Sequence, residues 1–201
     1  MKAFAYAGAP LATRSHPWTD AASDPTARYY DLKAEPAKIR TALEDFLPWR
    51  HTAGVEAFYE LLEWLNGASS ILESNDCELS GPHANETAIE AGLEVSGRVM
   101  VLFRELPRNL VLRELEHLNA ALHHALARRD PAFTLGAIGT TITATRYITL
   151  SGSEAAQLGS QLMVSFWAWG DSEVEVMANF ARVVRNLSAA FRGLDVLRRP
   201  G

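Results

Sequence analysis

The chain has 201 residues, of which 48% are hydrophobic and 21% charged, so we expect one domain with a sizeable core and exclude a disordered chain. Its 24 acidic and 19 basic residues give a net charge of -5, which argues against a nucleic-acid-binding protein, because such proteins normally carry a basic patch. Cys77 is the only cysteine, which favours a reducing, cytoplasmic location. Abundant alanine and a preference for arginine over lysine are typical of a GC-rich bacterial gene.

The first third of the chain predicts an irregular arm followed by two helices. Residues 1–34 show no regular period. Pro36 begins a predicted helix that Pro48 ends, and a second helix runs from about Gly54 to Asn66. Each has an apolar stripe at helical spacing, so we expect residues 36–66 to form a helical pair.

The remaining chain predicts the order strand, strand, helix, twice. The strands are expected at 71–79, 95–105, 136–150 and 161–169, and the helices at 108–128 and 172–192. Ser172 and Glu175 form a capping box at the start of the last helix. The segments 70–128 and 134–193 therefore form two similar units, which can be aligned without gaps over their second strands and helices. We expect a single α+β domain: a mainly antiparallel sheet of at least four strands, with both long helices on one face.

The opposite face of this sheet is the first candidate binding site. Period-two alternation places Met100, Met163, Trp167 and Trp169 there, away from the helices. Such a face is too apolar to remain in water. We expect residues 36–66 or the N-terminal arm to cover it; the alternative is a partner surface, because Trp and Met are enriched at interfaces. The threonines at alternate positions of 136–150 predict a polar, solvated face there.

A polar loop holds the second candidate site. Asp76, Cys77, Glu78 and His83 supply a thiol, carboxylates and an imidazole. The acidic neighbours of Cys77 disfavour its thiolate, so we expect a structural cysteine. His117, His123 and His124 lie on the predicted 108–128 helix without the matching ligands that a metal site requires. The sequence predicts no cofactor, no metal site and no membrane span, since its longest apolar stretches are far below about 20 residues.

The order of elements and the acidic charge are similar to those of type III secretion chaperones, over residues 36–192. Toxin-immunity proteins also include acidic α+β proteins without catalytic motifs. Both resemblances lie in layout and charge, and they imply a non-catalytic module that sequesters a partner protein, a basic one if charge complementarity holds. A homodimer is also compatible with the sequence. The alternative is an enzyme or small-ligand binder that uses the polar stretch 76–83.

Overall fold

The computed structural model describes residues 1–6, 14–17, 30–150 and 157–194, which form a six-stranded sheet and four α-helices. The strands are β1 (Lys2–Ala5), β2 (Arg14–His16), β3 (Leu72–Ala84), β4 (Leu93–Phe103), β5 (Gly136–Tyr147) and β6 (Gln157–Gly170). The helices are α1 (Lys38–Thr41), α2 (Ala53–Asn66), α3 (Leu112–Ala127) and α4 (Glu173–Arg192). Short 3-10 turns lie at Leu47–Trp49, Leu106–Leu110 and Ile148–Leu150.

The sheet is mixed and mostly antiparallel. Its strand order is β1-β5-β6-β4-β3, and β2 also pairs with β5. The pairs β3/β4, β4/β6 and β5/β6 are antiparallel, whereas β1 and β2 run parallel to β5. The α+β class and the antiparallel character are thus confirmed. The two parallel strands, β1 and β2, come from the arm, which was predicted to be irregular. They were not predicted because each pairs with residues of β5 more than 130 positions away, and such pairing leaves no periodic pattern in the local sequence.

One face of the sheet is covered by three long helices, and we call it the helical face. Phe166 of β6 lies 5.3 Å, ring centre to ring centre, from both Phe58 of α2 and Phe180 of α4. Thr140 of β5, which the strand register places on the same side, contacts α3. At Gly54, an added Cβ would lie 2.6 Å from the Phe180 ring, so α2 and α4 approach closely only because this residue lacks a side chain. Two long helices were expected on this face, but there are three, because α2 lies there together with α3 and α4.

The predicted helical pair at 36–66 is also corrected. Only α2 is a long helix, because α1 has a single turn and a 3-10 turn follows it. Phe46 packs on Phe58 at 4.9 Å instead of extending α1, and Arg40 forms ion pairs with Glu56 and Glu63. Tertiary contacts of this kind outweigh the weak propensity of a short helix, whose nucleation is costly.

Three of the four main strands extend beyond their predicted ends. β3 continues to Ala84 through irregularities in its register, so the polar stretch 76–83 is part of a strand and the loop is confined to 85–92. β6 begins at Gln157 rather than at 161. Ser172 caps α4 as predicted, since its Oγ accepts a hydrogen bond from the Glu175 N–H at 3.2 Å. The Glu175 carboxylate accepts from the Asp171 N–H instead of the Ser172 N–H that a capping box requires. Among the described helices, none has the length and apolar character of a bilayer span.

Phe58 should contribute strongly to stability. It is fully buried between Phe46, Phe166 and Phe180, so Phe58→Ala leaves a large cavity. We expect a loss of about 3–5 kcal/mol in the free energy of unfolding, measured by urea denaturation. Val174→Ala, at a side chain that is 83% exposed, is the matched control and should change it by less than about 0.5 kcal/mol. Equal effects of the two substitutions would contradict the assigned core.

Candidate functional site

The face of the sheet opposite the helices carries the predicted binding residues, and we call it the second face. Its upper end lies at the β3–β4 loop and its lower end at β2. In β6 the side chains of Met163, Trp167 and Trp169 alternate with those that contact the helices. Strand pairing places Met100 beside Met163 and Ser96 beside Trp167. The four predicted binding residues thus share one face, in two neighbouring central strands.

An aromatic patch, formed by Phe4, Tyr6 and Trp167, occupies the upper half of the second face. The rings of Phe4 and Trp167 stack at a centroid distance of 5.9 Å, and the Tyr6 hydroxyl lies 2.9 Å from Ser165 Oγ. All three aromatic side chains are only half-buried. The N-terminal arm therefore supplies part of the cover that this face requires, and it leaves an accessible aromatic surface.

The other three predicted binding residues are under cover. Met100 is fully buried, Met163 is 6% exposed and Trp169 is 7% exposed. The Trp169 indole donates a hydrogen bond to Glu94 Oε2 at 2.8 Å. Of the four, only Trp167 is accessible to a partner. The cover belongs to this chain, but α2, which was expected to contribute, lies on the helical face.

The lower half of the second face is held by buried polar contacts. Glu73 is 1% exposed, and its carboxylate lies 2.9 Å from His16 Nε2 and accepts a hydrogen bond from Lys33 Nζ at 2.6 Å. Burial opposes ionisation of Glu73, but the hydrogen bonds from His16 and Lys33 outweigh it and hold its pKa below the usual range. Asn75 donates to the Ser15 carbonyl at 3.2 Å and to Gln161 Oε1 at 3.1 Å. β2 is thereby fixed to the sheet.

This arrangement corrects the expectation of a solvated threonine face on β5. Thr145 and Tyr147 are fully buried, because β2 pairs there and the His16 ring lies 5.8 Å from the Tyr147 ring. Thr141 and Thr143 are half-buried. Five buried polar atoms in this region have no hydrogen-bond partner within the described structure: His16 Nδ1, Asn75 Oδ1, Thr143 Oγ1, Thr145 Oγ1 and Gln161 Nε2.

The four candidate catalytic residues are not brought together. Asp76 and Glu78 lie on the second face, where both pair with Arg98, whereas Cys77 points to the helical face. His83 is seven residues further along the strand than Asp76, roughly 20 Å at the usual rise, and lies 3.8 Å from Glu94. Burial, ahead of the charges of neighbouring acidic groups, raises the pKa of the Cys77 thiol, so it is a poor nucleophile.

His123 forms a contact that the sequence did not single out. Its Nε2 lies 2.6 Å from the hydroxyl of Thr140, and that hydroxyl donates to Asn119 Oδ1 at 2.7 Å. Because the Thr140 proton is given to Asn119, His123 must donate rather than accept, so it does not act as a base on the hydroxyl. Thr140 is fully buried, and this network joins α3 to β5.

An acidic rim borders the upper end of the second face. Glu86 and Glu90 lie in the 85–92 loop, and Asp171 and Glu173 lie at the start of α4; all four are exposed. The loop meets α4 through a hydrogen bond of 2.9 Å from the Gly92 N–H to Asp171 Oδ1. No cluster of three potential metal ligands occurs in the described parts of the chain.

Sequence reasoning did not single out Phe4, Tyr6, Glu73, His16 or Lys33. The alternation of Phe4 and Tyr6 was a usable signal for a short strand with one aromatic side. The contacts of Glu73 had no signal, because His16 and Lys33 are 57 and 40 residues away in the chain.

The chain matches no known protein family, no curated protein and no solved structure.

Cys77 should react slowly and should be dispensable. Since its pKa is raised, little thiolate exists at pH 8, and we expect iodoacetamide to alkylate it at least about tenfold more slowly than free cysteine. Cys77→Ser should leave thermal stability nearly unchanged, because serine has a similar volume at this half-buried position. Alkylation as fast as that of free cysteine would contradict this interpretation.

His123 should make stability depend on pH. Burial lowers its pKa below the ordinary value of 6.5, so the unfolded chain binds the proton more tightly than the folded protein does. The stability present above about pH 6.5 should therefore decrease as the pH falls from there towards the folded pKa. We expect His123→Gln to reduce this slope in urea denaturation at pH 5 to 7.5, whereas the exposed His117→Gln should not. An unchanged slope in His123→Gln would contradict the assignment.

Proposed function

We propose that the protein is a non-catalytic protein-binding module whose partner docks on the aromatic patch. The observation that carries this proposal is the half-exposed stack of Trp167 on Phe4, on a sheet face that the long helices do not cover. Tryptophan and tyrosine are among the residues that most often dominate the binding energy of an interface. The stack and the Tyr6–Ser165 hydrogen bond hold the patch in place before binding, which reduces the entropy that association costs.

Charge favours a basic partner. Trp167 lies three residues, roughly 10 Å along the strand, from the end of β6. The acidic rim of Glu86, Glu90, Asp171 and Glu173 borders that end of the sheet. The whole chain has a net charge of -5. Acidic groups around an apolar patch accelerate encounter with a basic surface and disfavour acidic partners.

An immunity or chaperone-like role in a bacterial cytoplasm, with the two similar ββα units as an internal repeat, is part of the same proposal. An enzyme that uses the stretch 76–83 is less well supported, because Cys77 faces away from Asp76 and Glu78, and both carboxylates are paired with Arg98.

Site-specific cross-linking tests the location of the surface. The experiment places a photoreactive phenylalanine analogue at Ser96, beside Trp167, in cells that naturally express this protein and its partner. The analogue should capture one predominant basic protein. The same analogue at the exposed His117 of α3 is the control and should not capture it. Equal capture at the two positions, or none at Ser96, would contradict the proposal.

Trp167→Ala should separate binding from folding. We expect affinity for the purified captured protein to fall at least about tenfold, as for an aromatic hot spot. Thermal unfolding should shift less than for Phe58→Ala, because Trp167 is already half-exposed. Unchanged affinity in Trp167→Ala would exclude the aromatic patch as the binding site. Sedimentation of the wild type and of Trp167→Ala tests the alternative of a homodimer. A wild-type dimer that Trp167→Ala converts to a monomer would show that the partner is a second copy of this chain, which would contradict the proposed basic partner.

A further inference from the structure

Polar contacts hold β2 on the second face. Its three residues pair with β5, opposite Thr145, Arg146 and Tyr147. His16 forms a hydrogen bond with Glu73, and Asn75 donates one to the Ser15 carbonyl. The His16 ring also lies 5.8 Å from the Tyr147 ring. The attachment of the strand therefore includes a hydrogen bond to a buried carboxylate.

The fit of β2 to the surface beneath it is incomplete. Asn75, Thr145 and Gln161 are each at least nine-tenths buried, and each retains a polar atom without a hydrogen-bond partner within the described structure. The same holds for Nδ1 of His16 itself. A buried donor or acceptor that loses water without gaining a partner costs free energy. A segment that satisfied these groups would bind this surface better than β2 does.

We propose that β2 is a displaceable cover and that an extended segment of the partner replaces it along β5. This inference rests on the proposed function and adds a second contact region for the same partner. The segment must supply a hydrogen-bonding cation, an Arg, Lys or His, at the position of His16, because Glu73 would otherwise keep only Lys33. It must also present polar side chains towards Gln161 and Thr145. Pairing with β5 supplies its backbone hydrogen bonds.

The electrostatics of the position favour a basic residue and exclude an acidic one. The charged and titratable groups that face Glu73 are His16 of β2, Lys33 of the turn before α1 and Tyr147 of β5. Lys33 belongs to the turn before α1 and not to β2, so departure of His16 alone leaves one cation at the carboxylate. The buried carboxylate still has an oxygen that only a donor can satisfy. This requirement agrees with the basic partner favoured by the acidic rim.

Both contact regions lie along β5. β5 pairs with β1 at residues 137–140, next to the aromatic patch, and with β2 at residues 145–147. The distance between the two pairings is roughly 20 Å along the strand. A partner that docks on Trp167 can therefore reach the β2 position with a segment of about six extended residues.

A peptide that copies the cover tests displaceability. The probe is a fluorescein-labelled peptide with the sequence of residues 11–20, added to the full chain and followed by fluorescence anisotropy. The His16→Ala protein should bind it about tenfold more tightly than the wild type does, because the internal strand loses its bond to the charged Glu73 while the peptide keeps it. On the same variant, a control peptide with alanine at the histidine position should bind about tenfold more weakly.

The double variant His16→Ala/Glu73→Gln completes the cycle. The double variant should bind the copy peptide about as weakly as the His16→Ala protein binds the alanine peptide. Thermal unfolding must show that each variant is folded. If folded His16→Ala binds the copy peptide no better than the wild type, or does not bind it, the inference is overturned. Equal affinity of the copy and alanine peptides also overturns it.

The outcome is separable from that of the proposed function. Trp167→Ala should leave binding of the copy peptide within about twofold, since the aromatic patch lies at the other end of the face. Peptide binding without cross-linking at Ser96 would support the displaceable cover and contradict the proposed binding site at the aromatic patch. Cross-linking at Ser96 without peptide binding would support the binding site and contradict the displaceable cover.

Discussion

The two central strands of the sheet are buried on both sides, and the rest of the structure depends on this constraint. In β4, every residue from Val99 to Phe103 is at most 1% exposed, and in β6 both alternating sets of side chains are inaccessible from 161 to 166. A continuous buried run of this kind requires two covers, one for each face. The long helices supply the first, and Phe4, Tyr6 and β2 contribute to the second.

The two covers differ in chemistry, and this difference separates stability from function. On the helical face, aromatic rings of α2, α4 and β6 interdigitate, so removing one leaves a cavity that cannot collapse. On the second face, the contacts of the described parts of the arm include one aromatic stack and hydrogen bonds to the buried Glu73 carboxylate. A cover that depends on polar pairs can be exchanged for another chain that offers the same pairs. The proposed binding surface therefore lies on the side whose described cover includes these polar pairs.

The sequence predicted those features that depend on neighbouring residues. Alternation in β4 and β6 indicated a face that carries Trp167, and the helical stripes indicated α2, α3 and α4. It could not predict β1 and β2, because their pairing with β5 joins distant segments. It also predicted a wet threonine face on β5, since nothing local shows that β2 covers Thr145. Glu73 resembled an ordinary strand carboxylate, and only the fold reveals that His16 and Lys33 converge on it.

The central claim is that the helical face is closed and that the aromatic patch is an accessible part of the second face. Hydroxyl-radical footprinting, read by mass spectrometry, tests it on the unmodified protein. The account predicts rapid oxidation of Trp167, Phe4 and Tyr6, and strong protection of Trp169, Phe58 and Phe166. Protection of Trp167 equal to that of Trp169, or oxidation of Phe58 as rapid as that of Phe4, would contradict it.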